Sequence, residues 1–215
     1  MGERLSTVIV GGGPAGMVAG LLLARAGVRV TVLEKHRDFL RDFRGDTVHP
    51  STLDLFREIG LLDELLALPH ARFDTATLDL LGRRYTIATL RHLPVAAPYI
   101  AMMPQWDLLD FIARQARRYP TFDLRMTTEA VAPVLDAAGR VAGVSLASGE
   151  ALPARLVIAA DGRRSVLREA AGLPREDLGA PMDVLWFRVP MPEGGAPADV
   201  PLGSIGRRGM VVAIP

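Results

Sequence analysis

The sequence contains no cysteine and no asparagine, and a single lysine, Lys35, stands against 24 arginines. Without cysteine there is no disulfide framework, no thiolate metal site and no cysteine nucleophile, which fits a reducing compartment and a cytoplasmic location. Lysine and asparagine use A-rich codons whereas arginine and alanine use G/C-rich ones, so GC-rich coding accounts for both scarcities at once. The arginines are scattered rather than striped and the net charge is +1, so composition invites neither nucleic acid nor an acidic membrane. Aromatic residues make up only 6%, and the core must therefore be built from Ala, Val, Leu and Ile.

Long hydrophobic runs are missing too. The uncharged stretch Val8 to Ala24 is 17 residues, carries Gly11-Gly12-Gly13-Pro14 and is followed by Arg25 and Arg29. It is short and broken for a bilayer span, and a soluble motif explains it better than a signal peptide. Met1-Gly2 through Ser6 matches the myristoylation pattern only formally, so no stable membrane anchor is expected. His36, His49, His70 and His92 show no metal-ligand spacing, and there is no HExxH and no G-x-S-x-G elbow. No carboxylate pair stands out as a hydrolytic couple. No metal site and no catalytic side chain is assigned.

What is present is a globular composition, 49% apolar and 23% charged over 215 residues, enough for one large domain or two small ones. Thr7 to Val10 is a β-branched run that reads as a buried strand. Gly11 to Gly16 make a turn, with Pro14 suited to a first helical turn where its missing N–H costs nothing. Met17 to Ala26 reads as a buried helix stopped by Gly27, and Val28 to Leu33 as a second strand. Strand, helix and strand in so short a span form a βαβ unit and force a parallel sheet.

Farther along, Phe39 to Val48 is a polar loop. Ser51 is placed to cap a helix ending at Gly60, and Leu61 to Leu68 continues as a short helix. Phe73 to Leu81 and Tyr85 to Leu90 alternate around Gly82-Arg83-Arg84, a hairpin signal. Gln105 to Tyr119 is amphipathic and helical. Phe122 to Leu146 gives several short strands with a turn at Ala138-Gly139. Leu156 to Ala160 is another buried strand, followed by Asp161-Gly162 and an Arg-rich helix ending at Gly172. Strands are expected near Val184 to Val189 and at Met210 to Ile214, the latter with nothing to pair against.

Gly11-x-Gly13-x-x-Gly16 between a strand and a helix, with Glu34 ending the second strand, is a dinucleotide-binding pattern. Gly11 permits the tight turn, Gly13 lets the backbone approach a pyrophosphate, and Gly16 allows close helix–strand packing. The helix N-terminus, reached through Pro14 and Ala15, stabilises phosphate charge. Glu34, with Lys35 beside it, is placed to accept hydrogen bonds from an adenosine ribose. It would repel a 2′-phosphate, which leaves FAD or NAD rather than NADP as the tightly held dinucleotide. Spacing alone does not separate those two.

Three further segments carry a resemblance: Arg44-Gly45-Asp46, Pro104-Gln105-Trp106-Asp107-Leu108-Leu109, and Ala160-Asp161-Gly162-Arg163-Arg164-Ser165. In this order they resemble the FAD-dependent aromatic hydroxylases, the single-component flavoprotein monooxygenases of the p-hydroxybenzoate hydroxylase type, over nearly the whole chain. The resemblance implies that Arg44 contacts the FAD phosphates, Gln105 approaches the ribityl-phosphate region, and Asp161 and Gly162 serve both FAD and the nicotinamide cofactor. It also implies NAD(P)H as electron donor, O2 as co-substrate and an aromatic or polyketide-like small molecule as the compound hydroxylated. An FAD-dependent reductase or dehydrogenase, or a non-catalytic dinucleotide-binding remnant, remains as an alternative.

The expected fold is α/β: a Rossmann-like FAD/NAD(P)-binding domain with an antiparallel β-meander and part of a β-rich substrate domain. The expected divisions are 1–72 and 99–178 for the FAD domain, 73–98 for substrate-domain strands, and 179–215 for the start of a truncated substrate domain. The family's later Gly-Asp segment is absent. The chain therefore reads as the N-terminal portion of a longer enzyme, not expected to be active alone.

Overall fold

The computed structural model describes residues 6–40, 46–179, 183–185, 187, 190, 203–207 and 209–212. In chain order the elements are β1 (Ser6–Val10), α1 (Pro14–Arg25), β2 (Arg29–Leu33), β3 (Thr47–Val48), α2 (Pro50–Glu58), α3 (Leu62–Leu66), β4 (Ala71–Phe73), β5 (Thr75–Leu80) and β6 (Arg83–Thr89). They continue with β7 (Ile100–Met102), α4 (Gln105–Ala116), β8 (Phe122–Arg125), β9 (Ala130–Leu135), β10 (Val141–Leu146), β11 (Ala151–Pro153), β12 (Leu156–Ala159), α5 (Val166–Ala170), β13 (Gly203–Gly206) and β14 (Gly209–Val212). The chain divides into two compact units, one of Met1–Asp42 with Trp106–Asp177, the other of Phe43–Gln105 with Leu178–Pro215.

The first unit is built on a parallel sheet in the order β12-β1-β2-β8. β1 and β2, at its centre, are largely buried, which is why they read as β-branched runs; β12, expected as a buried strand, lies at the sheet edge and is partly exposed, Leu156 by 51%. Side-chain alternation sends Val8, Val10 and Leu33 to one face, where they pack with Val144, Leu146, Ala154 and Leu167. On the other face Ile9 and Val32 approach Gly20 of α1; a Cβ there would lie 2.7 Å from Val32 Cγ2. β9, β10 and β11 form a separate antiparallel meander.

The expected α/β architecture is present, and four local expectations change. Phe122–Arg125 does not join the meander; it pairs parallel with β2, from Val30↔Phe122 to Leu33↔Arg125. Its alternation looks the same in either sheet, so only the long-range partner decides. His49, not Ser51, is the N-cap of α2, with Pro50 in the first turn and no side-chain cap bond. The terminal apolar strand is paired: β14 runs antiparallel to β13, which in turn pairs parallel with β5. Around the strand expected at Val184–Val189, the described residues Asp183, Val184, Leu185 and Phe187 have no regular structure, while Trp186, Arg188 and Val189 lie outside the described residues.

The second unit contains two sheets, β3-β7-β4 and β14-β13-β5-β6. Helices α2 and α3 contribute the buried Leu53, Phe56, Leu62 and Leu65. Gly60, at φ +74°, ends α2 in the left-handed region that glycine adopts without a steric penalty.

Candidate functional site

In an open parallel sheet, ligands bind beyond the carboxyl ends of the strands, where the strand order reverses. That point here lies between β1 and β12, on either side of which the chain leaves as Gly11 and as Ala160-Asp161. The two exits touch. Gly11 stands at φ +109°, and a Cβ on it would collide with the Ala160 carbonyl. Its N–H donates to the Leu33 oxygen (2.8 Å), tying the turn to β2 as well. Gly16 is equally closed, because a Cβ would meet the Gly11 carbonyl and lie 3.3 Å from Ile9 Cγ2. Gly13 differs: nothing lies within 4 Å of the position its Cβ would take.

Gly13 is the N-cap of α1, Pro14 is in its first turn, and no side chain caps the helix. The amides of Ala15 and Gly16 thus begin a 12-residue helix whose dipole favours an anion. Glu34 is only 6% exposed. Its Oε2 accepts from the Gly12 N–H (3.0 Å) and its Oε1 from the His36 N–H (2.9 Å). Two backbone donors hold the carboxylate in one orientation. Lys35 follows as an exposed residue.

At the end of β12, Asp161 Oδ2 accepts from the Val166 N–H (2.9 Å) and the Leu167 N–H (3.4 Å), at the start of α5. Ser165 Oγ accepts from the Arg168 N–H (3.0 Å). The other carboxylate oxygen, Asp161 Oδ1, is buried and has no hydrogen-bond partner. A buried unmatched acceptor costs about 1–3 kcal/mol, which makes it a natural receiver for a donor on a bound group. Gly162, at φ +79°, turns the chain away directly after it.

The glycine loop, Glu34, Asp161 and Gly162 therefore come together in the first unit. Gln105 belongs to the second. There its N–H donates to Asp46 Oδ1 (3.1 Å), and the Met103 N–H donates to the Asp46 carbonyl (3.0 Å). Arg44 lies outside the described residues. Two contributors escaped the sequence reading. Gly12 supplies the amide that orients Glu34, and a Cβ there would fall 2.8 Å from Glu34 Cβ; its only signal was an unbroken run of three glycines. Asp46 fixes the start of α4 across 59 residues, a contact no local pattern announces.

Beside the exit of β2 a cleft of about 410 Å³ is lined by Arg37, Phe39, Trp106, Asp110, Arg117 and Met126, among others. Next to Met126, the Thr128 N–H donates to the Glu34 backbone carbonyl (2.8 Å) and the Thr127 N–H to the His36 backbone carbonyl (2.9 Å).

The free helix terminus, the open position at Gly13, the oriented Glu34 and the unmatched Asp161 oxygen fit a dinucleotide such as FAD. Comparison with known proteins agrees. The chain is 32% identical over 195 residues to the 6-methylpretetramide 4-monooxygenase of Streptomyces rimosus, a match covering 89% of this chain and 46% of that protein. It spans about half the length of the curated relatives it matches. Among solved structures it resembles p-nitrophenol 4-monooxygenase PnpA from Pseudomonas putida DLL-E4, with TM-score 0.66 and 26% identity over 80% of this chain and 44% of that one. PqsL of P. aeruginosa, at 24% identity, shares the fold with TM-score 0.71 over 83% of this chain and 49% of its own. A family model for an FAD binding domain matches residues 4–198, and the chain belongs to that family of FAD-binding domains.

Proposed function

We propose that this chain is the FAD-binding portion of a monooxygenase that hydroxylates an aromatic or polyketide-like small molecule, using NAD(P)H and O2. The observation that carries the reading is the meeting of the glycine loop, Glu34 and the unmatched Asp161 oxygen at the switch point of the sheet. The names of its relatives, a 6-methylpretetramide 4-monooxygenase among them, supply the reaction type and substrate class.

Each residue has a distinct task. The Ala15 and Gly16 amides and the bare Gly13 backbone hold the pyrophosphate. Glu34 accepts the adenosine ribose hydroxyls. Asp161 accepts a donor on the bound dinucleotide through Oδ1, while Oδ2 keeps α5 in place. The resemblance gives Arg44 to the phosphates, Gln105 to the ribityl side and Gly162 to the same segment as Asp161, with Lys35 at the margin of the ribose site. A bound flavin would supply hydride acceptance and dioxygen activation; the protein's part is to bind it, orient it and exclude water.

The test is titration of this chain with FAD, followed by flavin fluorescence, and then, with the longer protein of which it is the proposed FAD-binding portion, NAD(P)H oxidation and O2 uptake in the presence of polycyclic phenols. Quenching with substrate-stimulated, oxygen-coupled oxidation is expected. A protein that takes up no flavin overturns the reading at its root. Flavin uptake with oxygen-independent turnover replaces the monooxygenase by a dehydrogenase.

A further inference from the structure

Two hairpin tips lie side by side in the second unit. β5 and β13 run parallel, with Gly203↔Leu78 and Ile205↔Leu80 in register. The β5–β6 and β13–β14 turns therefore emerge at the same end of the sheet, and the Leu81 N–H donates to the Ile205 oxygen (3.1 Å). The first turn consists of Leu81 and Gly82, at φ +50° and +84°, between the paired Leu80 and Arg83. Two positive φ values in a two-residue loop are the type I′ pattern, whose first position favours Asn, Asp or Gly. A leucine there is strained, and folding alone gives no reason for it.

That strained leucine is 67% exposed, Leu80 before it is 40% exposed, and Met210, on β14 across β13 from Leu80, is 59% exposed. Arginines flank them. Arg83 lies over the Tyr85 ring (5.7 Å), Arg84 pairs with Asp79 (3.3 Å), and Arg207 occupies the second turn. Arg208, next in sequence, lies outside the described residues. Among the described residues of the two tips, three guanidinium groups face one carboxylate.

We infer that this double tip docks on an anionic phospholipid surface. Leu81, Leu80 and Met210 enter the acyl boundary, while Arg83 and Arg207 meet lipid phosphates. A lipid surface fits better than an acidic protein because a two-residue turn is convex. A deformable surface can receive the apex leucine and still reach arginines on both sides, whereas a protein would need a groove shaped for both turns. The contact is peripheral and reversible: among the described residues no helix is long and apolar enough to cross a membrane.

Vesicle flotation tests it, with phosphatidylcholine alone and with phosphatidylcholine mixed with phosphatidylserine. The protein is expected to float with the mixed vesicles at low salt and to be released by high salt. Replacing Arg83 and Arg207 together by Gln should lower partition about twenty-five-fold, at about five-fold per arginine. Leu81→Asn is the decisive variant. It suits the turn, so it should raise the melting temperature while lowering partition several-fold. Equal behaviour on both vesicle types overturns the inference, as does a Leu81→Asn protein that is more stable and partitions unchanged. Binding to polyglutamate but not to mixed vesicles would assign the tip to an acidic protein instead. None of these readouts depends on flavin.

Discussion

Gly13, the N-cap of α1, and Gly16, in its first turn, stand three residues apart, yet a methyl group has opposite consequences at the two. At Gly16 it would be driven into the Gly11 carbonyl and against Ile9. Gly16→Ala should therefore destabilise the protein by about 1–3 kcal/mol, as overpacked sites do, and lower the melting temperature with or without flavin. At Gly13 the methyl meets no protein atom, and the backbone is already extended at φ −74°, ψ 179°. Gly13→Ala should leave the melting temperature of the flavin-free protein unchanged and weaken FAD binding about tenfold or more, because the methyl occupies the approach to the pyrophosphate. Thermal denaturation beside FAD titration separates the two. Thr127 provides a third case. It is exposed at φ +52°, a conformation that a β-branched side chain resists. Thr127→Asn should raise stability by about 1 kcal/mol, read as a higher melting temperature. The glycine pattern was legible in the sequence because its causes are local. The strain at Thr127 was not: it follows from the amides of Thr127 and Thr128 reaching back to His36 and Glu34, a pairing invisible along the chain.

At the scale of elements, the β9–β10 turn shows how one side chain organises a loop. Asp136 Oδ1 accepts from the amides of Ala138 (2.8 Å) and Arg140 (2.9 Å), and Oδ2 from Arg140 Nε (3.0 Å). The Arg140 amide, aided by its guanidinium and the Ala138 amide, holds the Asp136 carboxyl below its ordinary range. At the β5–β6 end, the Arg91 and Thr75 side chains lower Asp74 in the same way. A depressed folded pKa means stabilisation that is complete above the unfolded value and lost as pH falls through the folded one. The melting temperature of Asp136→Ala should thus lie below the parent's near neutrality, and the gap should close as the pH drops below about 4. A gap that stays constant into acid would show that the carboxylate charge is irrelevant to the turn. Elements with local causes are legible: α1, α4, the turn at Gly139 and the β5–β6 hairpin, whose turn is Leu81-Gly82 rather than the expected Gly82-Arg83-Arg84 because Arg83 and Arg84 pair with Leu80 and Asp79. Those set by distant partners are not. β8 carries the alternation of a meander strand, and β13, Gly203-Ser204-Ile205-Gly206, has too few apolar residues to signal a strand at all. It exists because β5 and β14 flank it.

For the whole molecule, a net charge of +1 conceals an uneven distribution of chemistry. The Leu81–Arg207 tips concentrate guanidinium and aliphatic surface in one unit, and the described pyrophosphate and ribose groups all fall in the other. Composition averages both away, whereas the glycine motif and its acidic partner survived in the sequence because they lie within one βαβ unit. That distribution has a measurable consequence. ADP carries the pyrophosphate and ribose of FAD without the flavin, so the first unit supplies what it needs: the α1 terminus, the Gly13 backbone and Glu34. Glu34→Ala removes the carboxylate held by the Gly12 and His36 amides and leaves those donors unmatched. It should weaken ADP and FAD together, each by about tenfold, the effect of losing about 1.4 kcal/mol. Gln105→Ala lies in the other unit, and the amide that meets Asp46 is retained because it belongs to the backbone. ADP binding should be unchanged in that variant, and any loss should appear with FAD alone. Calorimetric titration of both variants with both ligands decides the matter. If Gln105→Ala weakened ADP as much as Glu34→Ala does, the adenosine end would not be held by the first unit alone.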